Sequence, residues 1–408
     1  MLLKLLLILA PVASAQETSF VNFLQTAWEL SPTVRGEVLQ NDASNEFISS
    51  ARGKYLPHVS LDAIDTTGFP ASNAELGVGG LMGSPFRSGL AGGIVVNQTV
   101  YDFGRIQSFL ERAKAEKSLN LARLAEDKFR FLSTAGRLYL TCARVRSLQQ
   151  HDTELMSWAK INLKETARFT KTGQRSIVDN SLVQTEVNSL NLELEQLHKF
   201  EDSLNGQMKM YGSKGGCQSL SGAWKIQVPE ALQVEEPSLL LAKAQIELSQ
   251  SSYEEAKASQ LPKLNVMASS GGMDDARLVD QQNYSAGIGL VFPIWNGGED
   301  ARRERAYKSQ TEYQGENLKA AQLEYATRLK NLQDELSRDQ EALTVIEKNL
   351  EQVEKTIKLA SKRYRTLEGT LIDVREAFKQ LRDLGLERIQ VMSALADTSL
   401  QVGMLRTR

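Results

Sequence analysis

Apolar residues recur in alternating steps of three and four over two long tracts of the chain. From Leu329 the positions Leu332, Leu336, Leu343, Ile346, Leu350, Val353, Ile357, Ala360, Tyr364 and Leu367 continue one seam, broken only by Asp339. A weaker version runs through Leu121, Leu124, Phe131, Ala135, Leu138, Cys142 and Val145, broken by Lys128, and resumes at Met156, Ala159 and Leu163. A sustained period of about 3.5 residues predicts helices supercoiled against partner helices. The prolines agree. Pro32, Pro57, Pro70 and Pro85 crowd the N-terminal part, and Pro229, Pro237, Pro262 and Pro293 the middle. None lies between Pro85 and Pro229 or after Pro293. Arg105–Thr172 holds one glycine, Gly136, and Glu299–Glu368 holds one, Gly315. Each tract is therefore compatible with a single helix of roughly 70 residues, about 100 Å long. Turns near Thr172-Gly173 and Leu367 to Thr370 send the chain back through shorter helices, Ser176–Met210 and Leu371–Met404. The expectation is two long helical hairpins.

Between the helical tracts the period changes to two. Tyr284, Ala286, Ile288, Leu290, Phe292 and Ile294 alternate with Ser285, Gly287, Gly289 and Val291. That pattern predicts a strand with one apolar face and one small or polar face. Val59, Leu61 and Ala63 against Ser60 and Asp62 predict a second, and Gly93–Tyr101 and Lys263–Ser269 complete four. Gly68–Ser88 and Gly271–Asn283 read as the hairpin loops.

These elements occur twice. Ala51–Leu61, containing Leu56-Pro57, matches Ala256–Val266, containing Leu261-Pro262, at a spacing of 205 residues. Val100-Tyr101-Asp102-Phe103-Gly104 matches Ile294-Trp295-Asn296-Gly297-Gly298 at 194. Arg168-Phe169 with Ile177-Val178-Asp179 matches Arg363-Tyr364 with Leu371-Ile372-Asp373. The fold class expected is mainly α with β, internally duplicated as helix, strand, strand, long helix, returning helix. The corresponding division is a signal peptide at 1–15, a first repeat at 16–220, a linking segment at 221–236 and a second repeat at 237–408. Lys4, the apolar run Leu5–Leu9 and Ala13-Ser14-Ala15 carry the signal-peptide reading, with cleavage before Gln16. Past that point there is no apolar run long enough for a transmembrane helix, so residence in a membrane requires a barrel.

Composition narrows the function by exclusion. Lys plus Arg number 48 against 50 for Asp plus Glu, which gives no support to a nucleic-acid binder. His58, His151 and His198 are scattered, and none lies at metal-ligand spacing from another His or Cys. Gly77–Gly83 superficially resembles a phosphate loop but precedes Pro85 with no helix behind it, so it reads as an exposed loop. No cofactor, metal or catalytic constellation is expected, and an enzyme finds no residues to support it. Two cysteines rule out a disulfide framework but not a single bond. With a turn near Gly173, helix rise places Cys142 about 45 Å above it, a height the returning helix regains before Cys217. A Cys142–Cys217 disulfide and a free Cys142 buried on the apolar seam both fit the pattern.

The duplicated motifs, taken together and in order, resemble those of the TolC family of outer-membrane factors. The carriers are helix into Leu-Pro into strand, strand into an aromatic-Asx-x-Gly turn into the long helix, and the Gly to Ile-Val-Asp turn. The resemblance implies a homotrimer in which each protomer gives four strands to one twelve-stranded outer-membrane barrel, continued into the periplasm by a helical tunnel. It implies a channel-tunnel of a tripartite efflux or type I secretion system, fed by an inner-membrane transporter through a periplasmic adaptor. The strand ends would then put Tyr101, Phe103 and Trp295 at the level of the membrane interface. At the hairpin tips, Tyr364, Asp373 and Glu376 fall on the family's aperture positions in the second copy and Asp179 in the first. Two departures stand out. The place of a gating Arg is taken by Gly369, while Arg175 sits at the analogous place in the first copy; and the first tip has one residue more between Phe169 and Asp179 than the family spacing. A secreted or periplasmic coiled-coil scaffold is the competing expectation; it explains the heptads but not the strands.

Overall fold

A computed structural model of the chain describes residues 19–66, 89–213, 215–220, 224, 226–233, 235–275 and 278–405. The signal peptide, the loop 68–88 and the glycine run 77–83 lie outside them. The elements run α1 (Phe20–Glu29), α2 (Pro32–Gly53), β1 (His58–Thr66), β2 (Gly89–Tyr101), α3 (Arg105–Lys171), α4 (Ile177–Met210), α5 (Pro237–Ala258), β3 (Lys263–Asp275), β4 (Leu278–Val291), α6 (Glu299–Arg365) and α7 (Leu371–Met404). The order from α2 to α4 recurs from α5 to α7. The chain is mainly helical with one four-stranded antiparallel sheet, as the alternating periods require.

The two long helices, α3 and α6, have 67 residues each. Their starts explain the aromatic-Asx-x-Gly motif. Asp102 Oδ1 accepts from Gly104 N at 3.1 Å and its Oδ2 from Ile106 N at 2.6 Å, satisfying amides that a helix N-terminus leaves unpaired. The turn from strand to helix passes through two consecutive left-handed residues, Phe103 (φ 54°) and Gly104 (φ 91°). In the second copy Gly297 (φ 72°) and Gly298 (φ 78°) take those positions, and Asn296 Oδ1 accepts from Asp300 N at 3.4 Å. A left-handed pair favours glycine, so the motif records a backbone demand rather than a binding site.

The described residues fall into two compact units, and these cut across the repeat. One draws on described residues within 19–35, 125–237 and 324–405, the other on those within 36–124 and 238–323. In the first, α1 inserts Phe20, Phe23, Leu24 and Ala27 into a core with Leu132, Tyr139, Leu204, Leu400 and Met404. Leu155, Met156, Leu190, Ile357 and Phe378 form a second cluster, and Phe169, Val183, Tyr364, Leu371 and Val374 a third. Of the seam expected on α6, Leu332, Ile346, Val353, Ile357 and Tyr364 are buried. In the second unit, Leu119 and Ala122 of α3 pack with Ala244 of α5.

The sheet belongs to the second unit, in the order β1-β2-β3-β4. β3 and β4 overrun the expected loop Gly271–Asn283, since β3 continues to Asp275 and β4 begins at Leu278. The glycines there serve close strand approach instead of a turn: a Cβ on Gly93 would lie 2.7 Å from Gly271 Cα. At the other end β4 stops at Val291, short of the expected Phe292 and Ile294, where the chain leaves the ladder before Pro293.

Candidate functional site: hairpin tips and sheet wall

Both helical hairpins turn through five residues, Thr172–Ser176 and Thr366–Thr370, with the same main-chain bonds. Phe169 O accepts from Gln174 N and Arg175 N, and Arg363 O from Glu368 N and Gly369 N. The left-handed residue is Gly173 (φ 71°) in one and Leu367 (φ 66°) in the other. The turns are thus equal in length, and Phe169 corresponds to Arg363 instead of Tyr364.

Three of the expected aperture residues, Arg175, Tyr364 and Asp179, meet here. Arg175 Nη2 donates to Gly369 O of the second turn at 2.7 Å, and its guanidinium lies over the Tyr364 ring, 4.7 Å from the centroid. Tyr364 is 2% exposed and meets Phe169 edge-on at 6.0 Å. Burial, and after it the nearby Asp179 carboxylate, pushes the Tyr364 hydroxyl up to about 12, with Arg175 opposing. The hydroxyl sits beside Asp179 without completing a hydrogen bond of regular geometry, so Asp179 acts on it as a neighbouring charge. Three buried polar atoms at this tip have no hydrogen-bond partner among the described residues: Tyr364 Oη, Arg175 Nε and Glu165 Oε2. Such orphans cost free energy, so the packed tip is held at some expense.

Asp373 and Glu376 are exposed and do other work first. Asp373 Oδ2 accepts from Thr370 N at 3.0 Å and Thr370 Oγ1 at 2.9 Å, while Thr370 Oγ1 accepts from Asp373 N, a capping box on α7. The backbone bond from Thr370 holds the Asp373 carboxyl below its ordinary range. Glu376 Oε1 accepts from Gln380 Nε2 at 3.2 Å. Sequence reasoning missed the ion pair between Arg365 Nε and Glu165 Oε1 at 2.6 Å and the Phe169 contact. Both join residues from different hairpins, and no spacing along one helix encodes them.

In the sheet, the register sorts side chains onto two faces. Leu61–Ile94–Ser270–Tyr284, Val59–Val96–Ala268–Ala286 and Tyr101–Leu264–Leu290 form rows on one. His58–Asn97–Met267–Gly287, Ser60–Val95–Ser269–Ser285 and Thr99–Asn265–Gly289 form rows on the other. The first face is predominantly apolar, with Leu61, Ile94, Tyr284, Ile288 and Leu290 exposed. The second is mainly small or polar, Val95 and Met267 excepted, with Thr99 Oγ1 donating to Asn265 Oδ1 at 3.0 Å. β1 and β4 are each paired on one side only among the described residues. Tyr101 and Phe103 stack edge-on at 4.6 Å, and Trp295 is 84% exposed, all where strands give way to the long helices. Cys142 and Cys217 are joined as a disulfide.

Residues 228–402 match the family model described as Outer membrane efflux protein. This part of the chain is similar to outer membrane efflux proteins. The resemblance to TolC-family factors that the repeat carries is thereby borne out. Solved structures extend the likeness in fold to nearly the whole chain. The outer membrane protein VceC of Vibrio cholerae superposes with a TM-score of 0.78 at 14% identity, over 94% of each chain. CusC, whose structures concern transmembrane channel formation, gives 0.76 at 12% identity over 95% of this chain and 92% of its own. The open state of the MtrE outer membrane channel of Neisseria gonorrhoeae gives 0.67 at 13%, over 97% and 94%. Comparison with curated protein sequences finds no match.

Proposed function

We propose that the protein is the outer-membrane channel-tunnel of a tripartite efflux or type I secretion system, a passive trimeric exit duct fed by an inner-membrane transporter through a periplasmic adaptor. One observation carries the reading: a four-stranded sheet with an exposed apolar face, a small polar face and two half-paired edges. Alone, that sheet is untenable in lipid, because unpaired edges leave backbone groups without partners. Single-chain bacterial barrels need about eight strands, so four demand closure with other copies. Three copies make a twelve-stranded wall, apolar outward and polar inward. Tyr101, Phe103 and Trp295 then occupy the interface belt. No helix of the described residues is long and apolar enough to cross a membrane, which leaves the strands to do so. A coiled-coil scaffold has no use for such a sheet.

At the periplasmic end, the Arg175–Gly369 bond and the packed Tyr364 hold the two hairpins of a protomer together, and Asp179, Asp373 and Glu376 give the mouth its negative charge. The duct moves solute down a gradient or under the transporter's drive and has no bond to make or break. Detergent extraction of outer membranes followed by native mass measurement and planar-bilayer recording tests the reading. A trimer with stepwise conductance is expected. A monodisperse, detergent-free soluble species overturns it.

A further inference from the structure

The disulfide between Cys142 of α3 and Cys217, in a short 3-10 turn at Gly216–Ser219, spans 75 residues and encloses α4 and the part of α3 from Cys142 to the turn. The strand of chain carrying Cys217 is tied to that hairpin by further bonds. Cys217 N donates to Asn205 Oδ1 at 2.8 Å, and Arg146 Nη1 donates to Leu220 O at 2.6 Å. Gly216 is left-handed (φ 61°) and lies so close that a Cβ would come within 2.3 Å of Asn205 Oδ1. These bonds, which hold the Cys217 segment against the hairpin, are local to residues 142–220.

What buries them is not local. Both cysteines are 0% exposed. Their core cluster combines Leu138, Val145, Leu204, Met208 and Leu220 with Phe20, Phe23 and Leu24 of α1, and with Ala396, Leu400 and Met404 of α7. The α7 residues emerge in an exported chain some 180 positions after Cys217. Thiol–disulfide exchange needs a donor disulfide to reach a cysteine sulfur and the second cysteine to displace it. A sulfur enclosed in this core admits no such donor.

We propose that the α3–α4 hairpin is oxidised as a separate unit, before α7 packs against it, and that dithiol–disulfide exchange on the partly folded chain is an obligatory step of its maturation. The thiolate of one cysteine attacks a protein or small-molecule disulfide, forming a mixed disulfide and releasing one donor thiolate. The other cysteine then attacks the mixed disulfide, closes the Cys142–Cys217 bond and releases the second donor thiolate. Two electrons and two protons pass to the donor, which leaves as a protein dithiol or as two small-molecule thiols. The channel reading supplies only the oxidising compartment; the order of events follows from the burial.

Refolding of the full chain tests this. The reduced, denatured protein is diluted into detergent with oxidised glutathione present from the start, or added only after helix content has recovered. Bond formation is read by maleimide mass-tagging, and trimer by native mass. With early oxidant the bond closes and trimer forms. With late oxidant, closure is expected to slow by about 100-fold or more, because exchange must wait for local opening, and maleimide should be excluded from both thiols. A chain that recovers no helix content until oxidant arrives supports the same order. Closure as fast with late as with early oxidant, at full helix content, overturns it. So does a Cys142→Ser/Cys217→Ser chain that reaches wild-type trimer yield and heat resistance. Failure of the channel reading would show separately, as oxidised trimer without conductance.

Discussion

Replacing Arg175 by Met keeps most of the apolar stem but removes two contacts that tie the first turn to the second. One is the bond from Nη2 to Gly369 O at 2.7 Å, the other the guanidinium 4.7 Å over the Tyr364 ring. A hydrogen bond from a charged donor contributes about 1.5–3 kcal/mol, and a partly desolvated cation–π contact about 0.5–2 kcal/mol. Arg175 is half-buried, so solvent screening takes part of both. A working loss of about 2 kcal/mol per protomer shifts a closed–open equilibrium about thirtyfold. If the three tips of a trimer open together the losses add, and the shift exceeds about 10⁴-fold, enough for a full population reversal. The assay is single-channel recording of reconstituted protein, with hydrogen exchange at residues 363–375 as a local probe. Arg175→Met should raise open probability and speed exchange there while trimer yield stays unchanged. Arg175→Lys, which keeps charge but loses the planar stack, should fall between. Wild-type open probability in Arg175→Met, with trimer intact, would refute the reasoning.

Tyr364→Phe removes a buried hydroxyl that has no hydrogen-bond partner and keeps the ring against Phe169, so the tip should be unchanged or firmer by up to about 1 kcal/mol, with no rise in conductance. The same variant should change the alkaline behaviour. With the hydroxyl at about 12 in the fold against an ordinary 10.0, the tip keeps its stability below pH 10.0 and loses it as pH climbs through about 12 and the buried hydroxyl is forced to ionise. Alkaline loosening of the tip, followed by hydrogen exchange, should therefore be smaller in Tyr364→Phe. Gly385→Ala puts a Cβ 2.1 Å from His151 Cε1, so the ring must swing out of its place between α3 and α7, costing about 1–3 kcal/mol in thermal unfolding. His151→Ala should rescue it. Asp373→Asn with Glu376→Gln keeps the Thr370 cap while removing both charges; cation selectivity and block by trivalent ions should weaken, and unchanged selectivity would mean these acids do not line the mouth.

Much of the fold was legible because two periods are hard to confuse over long tracts. The seam from Leu332 to Tyr364 marked the buried stripe of α6, and the turns fell where glycine and cap residues said they would. The strands were less legible. Gly271 and its neighbours read as loop because glycine lacks a side chain to show a period, yet the ladder pairs them on both sides. Conversely, Phe292 and Ile294 continued the alternation after the chain had left the sheet. At the tip, residue types pointed to Arg175, Tyr364 and Asp179, but the acceptor for Arg175 is a backbone carbonyl at Gly369, and a carbonyl has no signature. Glu165 and Arg365 pair across hairpins 200 positions apart in the numbering, beyond the reach of any local pattern.

The duplication itself shows how two equivalent carboxylates came to different uses. Asp179 and Asp373 hold the same place in the two copies, third residue of the returning helix, three after the cap residue. In the second copy Thr370 Oγ1 accepts from Asp373 N, and Asp373 answers by accepting from Thr370, so the carboxylate is absorbed by the helix start. In the first copy Ser176 Oγ accepts from Val178 N instead, one residue earlier, and the reciprocal bond is not made. Asp179 is left outside the cap, beside the buried Tyr364 hydroxyl, on which Arg175 acts in the opposite sense. A one-residue difference in which amide the cap takes thus separates a carboxylate that begins a helix from one that faces the contact between hairpins. It also implies that substitution at Asp373 is read first in the stability of α7, whereas substitution at Asp179 is read first in the titration of Tyr364.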